Sequence, residues 1–351
     1  MSAQGDYGLV DRLLHRLALG SSALAELSFD LDQKASRAAM SADDVAQRPH
    51  VFVTGLARAG TTVLLRQLHD SGCFRSLTYR DMPFPLAPNL WQRFSARWHQ
   101  SREAQVRAHG DGISVSADSP EALEELFWRI QCGEHYIRAD GLLPHRPDEE
   151  VLTLFQRYVA AIMASADNGQ TRYLSKNNNN ILRLSWLAPA FPQAWFVIPF
   201  RDPATHALSL WRQHRHFCDL QRQNPFARSY MNWLVHHEFG LGQRPFLIGG
   251  APPPDLSPDM PDYWLDLWMR VHAALIEQVH GRCLFVCHED LCEDPTVWAD
   301  LATRLDLPES NTPAFVLKGK VEVDVFDAAR LREAQAIHRH LRQHLTMAAI
   351  A

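Results

Sequence analysis

Val51-Phe52-Val53-Thr54-Gly55-Leu56-Ala57-Arg58-Ala59-Gly60-Thr61-Thr62 decides how the rest of the chain is read. Three apolar, strand-favouring residues run into a glycine-bearing turn. The turn runs into a helix, predicted over 61–70, that opens on two hydroxyl residues. Gly55 and Gly60 permit backbone angles, and a close approach of an anion, that a side chain would block. The amides at the start of the helix have no partner within it and carry the positive end of the helix dipole, so they attract a phosphate. The amides of Arg58, Ala59 and Gly60 and the hydroxyls of Thr61 and Thr62 complete a candidate phosphate cradle.

The Gly-x4-Gly spacing is that of a Walker A loop, with Thr61 where a nucleoside triphosphatase has its Lys. Without that Lys such an enzyme loses its main contact to the terminal phosphates. Arg58 stands inside the loop instead, two residues before Gly60, where it can reach a bridging oxygen. Taken alone, the stretch also reads as a tight strand-to-helix turn with an incidental Arg.

Outward from this loop, short apolar runs at 74–78, 173–175, 195–198 and 283–287 read as strands. Helical patterns lie between and around them at 122–131, 151–166, 181–188, 205–216 and 262–280, and a last helix is predicted over 328–345. Alternating strands and helices predict an α/β protein: a P-loop nucleotide-binding fold with a central, mainly parallel sheet flanked by helices. Leu9, Leu13, Leu14 and Leu17, then Leu24, Leu27 and Leu31, predict two N-terminal helices packed on a core through those leucines. Residues 1–45 are therefore set apart as a helical extension and 46–351 as one α/β domain. The Pro- and Gly-rich stretch 245–261 is a loop, placed to lie over a substrate.

The 351 residues are 46% hydrophobic and 21% charged, an ordinary globular composition. A net charge of -5 argues against a general nucleic-acid binder, so an anionic ligand needs a local basic cluster. The 18 His show no metal-ligand spacing, and the six Cys include no C-x-x-C pair. Cys283 and Cys287 read as strand residues of a reduced protein. No basic, apolar leader is evident at the N-terminus, and no apolar run approaches the roughly 20 residues that span a bilayer. The expectation is a soluble, cytoplasmic protein of unspecified oligomeric state.

A second signal is Trp195-Phe196-Val197-Ile198-Pro199-Phe200-Arg201-Asp202-Pro203, with Ser209 eight residues after Arg201. Pro203 suits the first turn of a helix, Asp202 can cap it, and Ser209 lies about two turns along. An Arg at the strand end and a Ser on the helix can clamp a phosphate, the Arg by a charge-assisted fork. By itself Arg-Asp-Pro is also a common strand-to-helix junction.

Arg58-x-Gly60-Thr61-Thr62 after an apolar strand resembles the 5′-phosphosulfate loop of the sulfotransferases that use 3′-phosphoadenosine 5′-phosphosulfate. The Arg in place of Lys is similar to the Arg-Ser-Gly-Thr-Thr loop of tyrosylprotein and bacterial sulfotransferases more than to the cytosolic ones. The second motif matches the family's 3′-phosphate motif in order and spacing. The resemblance, which spans about 50–310, implies that Arg201 and Ser209 hold the 3′-phosphate. Lys176, at the end of the strand 173–175, matches a Lys that stabilises the transition state in the tyrosylprotein enzymes, and four Asn follow it. The resemblance implies in-line sulfuryl transfer to an acceptor hydroxyl of a saccharide or other small molecule, an enzyme assisted by Arg58 and Lys176. No metal is expected, since the sulfuryl group carries less charge than a phosphoryl group. Val286 to Pro295 is similar to the family's late strand and acidic turn, in which Glu289 and Asp290 brace neighbouring loops. Lys318-Gly319-Lys320 stands weakly for a glycine-rich segment of the cytosolic enzymes.

The acceptor needs a general base. Asp81 is chosen for its acid-x3-Pro spacing to Pro85; anchoring on Arg80 and Pro83 puts Thr78 at the place of the family's Glu. His109, with Asp111, is a second candidate, also readable as an ordinary turn. Asp118-Ser119-Pro120-Glu121 reads as a helix cap. Trp91, Phe94, Trp98, Trp211, His214, His216, Phe217 and Trp233 are candidates for an aromatic acceptor pocket, at least half of them core residues. Two other classes stay open: a P-loop nucleotide or small-molecule kinase, whose nearest metal site is 283–290, and a non-catalytic nucleotide-binding module.

Overall fold

The structure, a computed structural model, describes residues 9–36, 40–95, 105–106, 114–166, 170–278, 281–308, 315–316 and 323–346. The described helices, in chain order, are α1 (Leu9–Gly20), α2 (Ser22–Ala35), α3 (Ala42–Ala46), α4 (Thr61–Asp70), α5 (Pro88–Ser95), α6 (Glu125–Tyr136) and α7 (Glu149–Ala164). After them come α8 (Leu184–Ala190), α9 (Pro203–Gln223), α10 (Pro225–Trp233), α11 (Pro261–Glu277), α12 (His288–Glu293), α13 (Pro295–Arg304) and α14 (Ala328–His344). The strands are β1 (Val51–Val53), β2 (Phe74–Arg75), β3 (Gln105–Val106), β4 (Ser114–Val115), β5 (Arg172–Lys176), β6 (Trp195–Phe200) and β7 (Cys283–Cys287).

Five strands form one parallel sheet in the order β2-β5-β1-β6-β7, and β3 with β4 makes a small antiparallel pair. The all-parallel sheet has helices on both faces, as the alternation of elements predicts. Side chains alternate along each strand. One face sends Val51, Val53, Leu174, Val197, Leu284 and Val286 onto Leu64, Leu65 and Leu68 of α4 and Trp298 and Leu301 of α13. The other face carries Phe52, Tyr173, Phe196 and Phe285 against an aromatic core that includes Phe127, Trp128, Phe155, Tyr158 and Phe191. Phe52 and Phe196 stack with ring centroids 5.1 Å apart.

In a parallel sheet all the carboxyl ends share one edge. β1 sits between β5 and β6, so the segments that follow Val53, Lys176 and Phe200 are neighbours. Open α/β sheets bind ligands at that edge.

The N-terminal helices exist, but their buried stripe is not the one the leucines predict. Leu13, Leu17, Leu24, Leu27 and Leu31 are exposed, while Ala18, Leu19, Ala25, Phe29 and Asp32 are buried. Phe29 packs edge-on to Phe127 and Tyr158. Asp32 accepts hydrogen bonds from the Leu90 amide and Asn89 Nδ2 at the start of α5. One aromatic in an aromatic core, together with a satisfied carboxylate, outweighs several leucines that meet no facing surface.

Other differences have local causes. The strand predicted over 74–78 stops after Arg75, and the helix predicted from 122 begins at Glu125. Between them, backbone bonds from Tyr79 to Ser119, Arg80 to Ala117 and Glu121 to Leu77 hold both segments in non-helical form. Asp118 accordingly caps no helix and pairs with Arg80 at the surface. The helix predicted over 181–188 divides into a 3-10 turn over Asn178–Leu182 and α8, because the Asn177 side chain accepts from the Asn179 amide. Cys283 and Cys287 lie in β7, and none of the six cysteines forms a disulfide.

Candidate active site

The loop between β1 and α4 departs from ordinary backbone angles where the anion cradle is expected. Gly55 and Gly60 have φ of 138° and 94°, and Arg58, a non-glycine, has φ of 71°. A left-handed Arg costs free energy and marks a position held in place by its surroundings. Two of those holds are visible. The Ala57 carbonyl accepts from His206 Nε2 at 2.8 Å, and the Arg58 carbonyl accepts from Arg201 Nη1 at 3.3 Å. His206 is fully buried, and burial first, with the nearby Arg201 and Arg58 charges, keeps its pKa well below the usual value. The imidazole is therefore neutral and donates from Nε2.

Arg58 Nε also donates to Ser209 Oγ at 3.2 Å. The loop and the second motif thus meet directly: Arg58 from the end of β1, Arg201 from the end of β6 and Ser209 from two turns into α9. The spacing of the second motif does what the sequence predicts locally. Asp202 caps α9 by accepting from the Thr205 amide at 2.9 Å, and Pro203 begins the helix. Thr61 is buried and Thr62 half-buried at the N-terminus of α4. Arg201 is 9% exposed, and its Nε is buried with no hydrogen-bond partner among the described residues. Burial draws the Arg201 pKa down, while Glu289 and Asp202 oppose the fall. An orphaned guanidinium donor beside a second Arg, at a helix N-terminus, is a fitting place for a phosphate-bearing ligand.

The helix α12, directly after β7, braces both motifs, and here sequence reading missed a residue. Its Glu289 accepts from the Asp202 amide at 3.1 Å and lies 3.9 Å from Arg201 Nε. Asp290 pairs with Arg342 of α14. The missed residue is His288: a Cβ placed on Gly60 would meet its Nδ1 at 2.8 Å. Gly60→Ala should therefore suffer twice, from the clash and from a left-handed Cβ. We expect a loss of about 1–3 kcal/mol in stability, read by denaturant unfolding, with weakened nucleotide binding in calorimetry.

Lys176 ends β5 in register with Val53, so it faces the start of the loop across adjacent strands. Its strand end rests on a buried polar network that the sequence did not announce. Asn177 Nδ2 donates to Glu124 at 3.0 Å and Glu125 at 2.7 Å, and Arg183 makes a two-armed pair with Glu125 at 2.8 Å on each arm. Glu124 also accepts from Tyr173, Asn180 and Trp128. The adjacent acids and the Asn run were the only available signal.

The base candidates fare differently. Asp81 is buried in a 3-10 turn; one oxygen pairs with Arg75 Nη2 at 2.8 Å, and the other accepts from the Thr78 amide at 2.7 Å. No hydrogen bond brings it to the phosphate loop among the described residues. His109, Asp111, Trp98 and the 318–320 segment lie outside those residues. Of the aromatic candidates, His214 and Phe217 are buried in the core, Phe94 is 63% exposed, and Trp91 and Trp211 donate to the carbonyls of Arg80 and Asp259. None of the described candidates lines the cavity beside the loop, which is walled by Leu56, Ala57, Leu210, Phe246 and Trp264, with Glu238 among the polar residues.

One trio among the described residues has the donor types of a metal site: Cys287, Glu289 and His338, within 4.8 Å of one another. The Cys287 thiol donates to Glu289 at 3.3 Å, and burial pushes the thiol pKa up. A thiol and an imidazole do not make the oxygen shell that Mg²⁺ requires for phosphoryl transfer.

A family model described as "Sulfotransferase family" matches residues 49–241, more than half of the chain and both motifs. No curated protein matches the chain in sequence. Among solved structures, a sulfotransferase of Mycobacterium tuberculosis is similar at 17% identity and TM-score 0.46, covering 95% of this chain and 83% of its own. A sulfotransferase from Alicyclobacillus acidocaldarius is similar at 14% identity and TM-score 0.44, with 83% and 96% covered. A third, from Mycobacterium avium, has 16% identity and TM-score 0.41, with 85% and 76% covered. The family match over both motifs, on a parallel sheet that brings them together, establishes that this chain belongs to the sulfotransferase family.

Proposed function

We propose that the enzyme takes its sulfuryl group from 3′-phosphoadenosine 5′-phosphosulfate and passes it to a hydroxyl of a saccharide or other small molecule. The observation that carries this reading is the contact of Arg58 with both Arg201 and Ser209. A 5′-phosphate cradle and a 3′-phosphate clamp must be adjacent to hold one nucleotide, and these two segments touch. The donor, when bound, supplies an activated sulfuryl group on a phosphate leaving group.

The chain's own residues then divide the work. The amides of Ala59, Gly60, Thr61 and Thr62, at the positive end of α4, hold the 5′-phosphate, and the threonine hydroxyls add donors. Arg201 and Ser209 hold the 3′-phosphate. Arg58 and Lys176, from adjacent strand ends, stabilise charge on the bridging oxygen, where preorganised donors act most strongly. With two side-chain cations and a helix terminus in place, the transfer is read as needing no metal. The net charge of -5 makes nucleic acid a poor partner. No described helix is long and apolar enough to cross a membrane, which is compatible with a cytoplasmic site of action.

The kinase reading predicts equal or better binding of ATP with Mg²⁺. We expect instead that 3′-phosphoadenosine 5′-phosphate binds without metal and more tightly than ADP in calorimetric titration. Arg201→Ala should weaken that binding at least tenfold, about 1.4 kcal/mol. Metal-dependent ATP binding that Arg201→Ala leaves unchanged would overturn the donor assignment. A non-catalytic module would bind the bisphosphate normally yet show no turnover.

A further inference from the structure

The cavity beside the phosphate loop has room for about one water-sized sphere, about 10 Å³, in this form. That is enough for a reacting hydroxyl but not for a whole acceptor. Leu56 and Ala57, the two residues before Arg58, form one wall, and Trp264 and Phe246 form others. Pro245 and Phe246 begin the Pro- and Gly-rich stretch and both line the cavity, so that stretch contributes to it. The lining is mostly apolar; its polar residues are Gln243, Arg244 and Glu238, the one carboxylate.

Glu238 is tied to the far side of the site. Its Oε1 accepts from Asn178 Nδ2 at 2.8 Å, and the Val235 carbonyl accepts from Asn179 Nδ2 at 3.3 Å. Asn178 lies two residues after Lys176. The carboxylate is thus fixed between the loop that carries Arg58 and the strand end that carries Lys176. Among the described residues its Oε2 takes part in no hydrogen bond, whereas both oxygens of Asp81 are committed to Arg75 and Thr78.

We propose that this cavity seats the acceptor's reacting hydroxyl and that Glu238 is the group that takes its proton. The inference rests on the donor site read above. The acceptor oxygen forms its bond to sulfur while its proton passes to Glu238. The bond from sulfur to the bridging oxygen breaks, and that electron pair stays on the phosphate, facing Arg58 and Lys176. Glu238 afterwards returns the proton to solvent. The part of the acceptor next to that hydroxyl meets the apolar residues around the cavity, which favours a phenol or hydrophobic alcohol over a bare sugar.

The test uses 2-naphthol and glucose as acceptors with the sulfuryl donor, alongside calorimetry with 3′-phosphoadenosine 5′-phosphate. The full chain is expected to sulfate 2-naphthol in preference to glucose. Glu238→Gln should lower kcat at least a hundredfold, in the range of a lost general base. It should keep bisphosphate affinity within about twofold and remove the acid limb of the rate–pH profile. Glu238→Asp, which shortens the side chain but keeps the carboxylate, should restore that limb at a reduced rate. Full activity of Glu238→Gln, an unchanged acid limb, a preference for glucose, or no transfer to 2-naphthol by protein that binds the bisphosphate would each overturn the inference. Failure of the wild-type chain to bind the bisphosphate would overturn the donor reading instead.

Discussion

Arg58→Ala is expected to lower sulfuryl transfer by about a hundredfold to a thousandfold, the usual cost of removing one preorganised donor at a developing charge. The design of the loop makes this substitution unusually clean. Arg58 has φ of 71°, and Ala suffers the same left-handed penalty, so the backbone strain is common to both. The Arg58 carbonyl that accepts from Arg201 is also retained. What disappears is the guanidinium and its bond to Ser209 Oγ. Affinity for 3′-phosphoadenosine 5′-phosphate should therefore fall much less than turnover, the signature of an interaction made mainly in the transition state. Arg58→Lys should lie between, since it keeps a charge but loses the Nε that donates to Ser209 Oγ. Steady-state transfer measured beside calorimetry checks this. Undiminished turnover in Arg58→Ala would remove Arg58 from the mechanism.

The second large effect is on stability. Arg183 and Glu125 form a two-armed pair with side chains 0% and 3% exposed. Arg183 also lies over Trp128 and Tyr136, 4.7 and 5.1 Å from the ring centroids. Removing one partner leaves a buried charge uncompensated, so Glu125→Ala is expected to cost about 3–5 kcal/mol in denaturant unfolding. Replacing both partners by apolar residues of similar volume should recover much of that loss. Asn177 bonds to Glu125 immediately after Lys176, so the single variant should also blunt turnover by loosening that strand end.

The same pair contributes to pH dependence. Burial alone would raise the Glu125 pKa, but the Arg183 charge and the hydrogen bonds from Arg183, Tyr136 and Asn177 bring it below its ordinary 4.5. A carboxylate whose folded pKa is depressed stabilises the fold above its unfolded pKa and loses that contribution as pH falls through the folded one. The wild-type chain should therefore lose stability on acidification below about pH 4.5, and Glu125→Gln should show a smaller share of that loss. Equal acid sensitivity in the two proteins would mean that other carboxylates dominate.

Local features were legible before any coordinates. The strand 283–287, the helix 61–70, the capped helix after Arg201 and the left-handed glycines of the loop depend on residues within a turn or two of each other. So does the distance from Arg201 to Ser209, which is set by the capped junction at Asp202 and the rise of α9. The parallel α/β architecture follows from alternating strands and helices, because parallel neighbours need crossovers. The amino-acid sequence by itself therefore determined the two strand-to-helix motifs and the kind of sheet that carries them.

The tertiary structure alone decided what those motifs meet. The order β2-β5-β1-β6-β7 sets Lys176, Arg58 and Arg201 on neighbouring strand ends. It also turns His288 onto Gly60 and places Glu238 against Asn178, a contact between residues 60 apart. It engaged Asp81 with Arg75 and chose Phe29 and Asp32 over the leucine stripe of the N-terminal helices. Such choices compare burial and hydrogen bonding between distant segments, and they have no fixed spacing along the chain. Periodicity ranks the faces of a helix by polarity, but only a facing surface decides which one is buried.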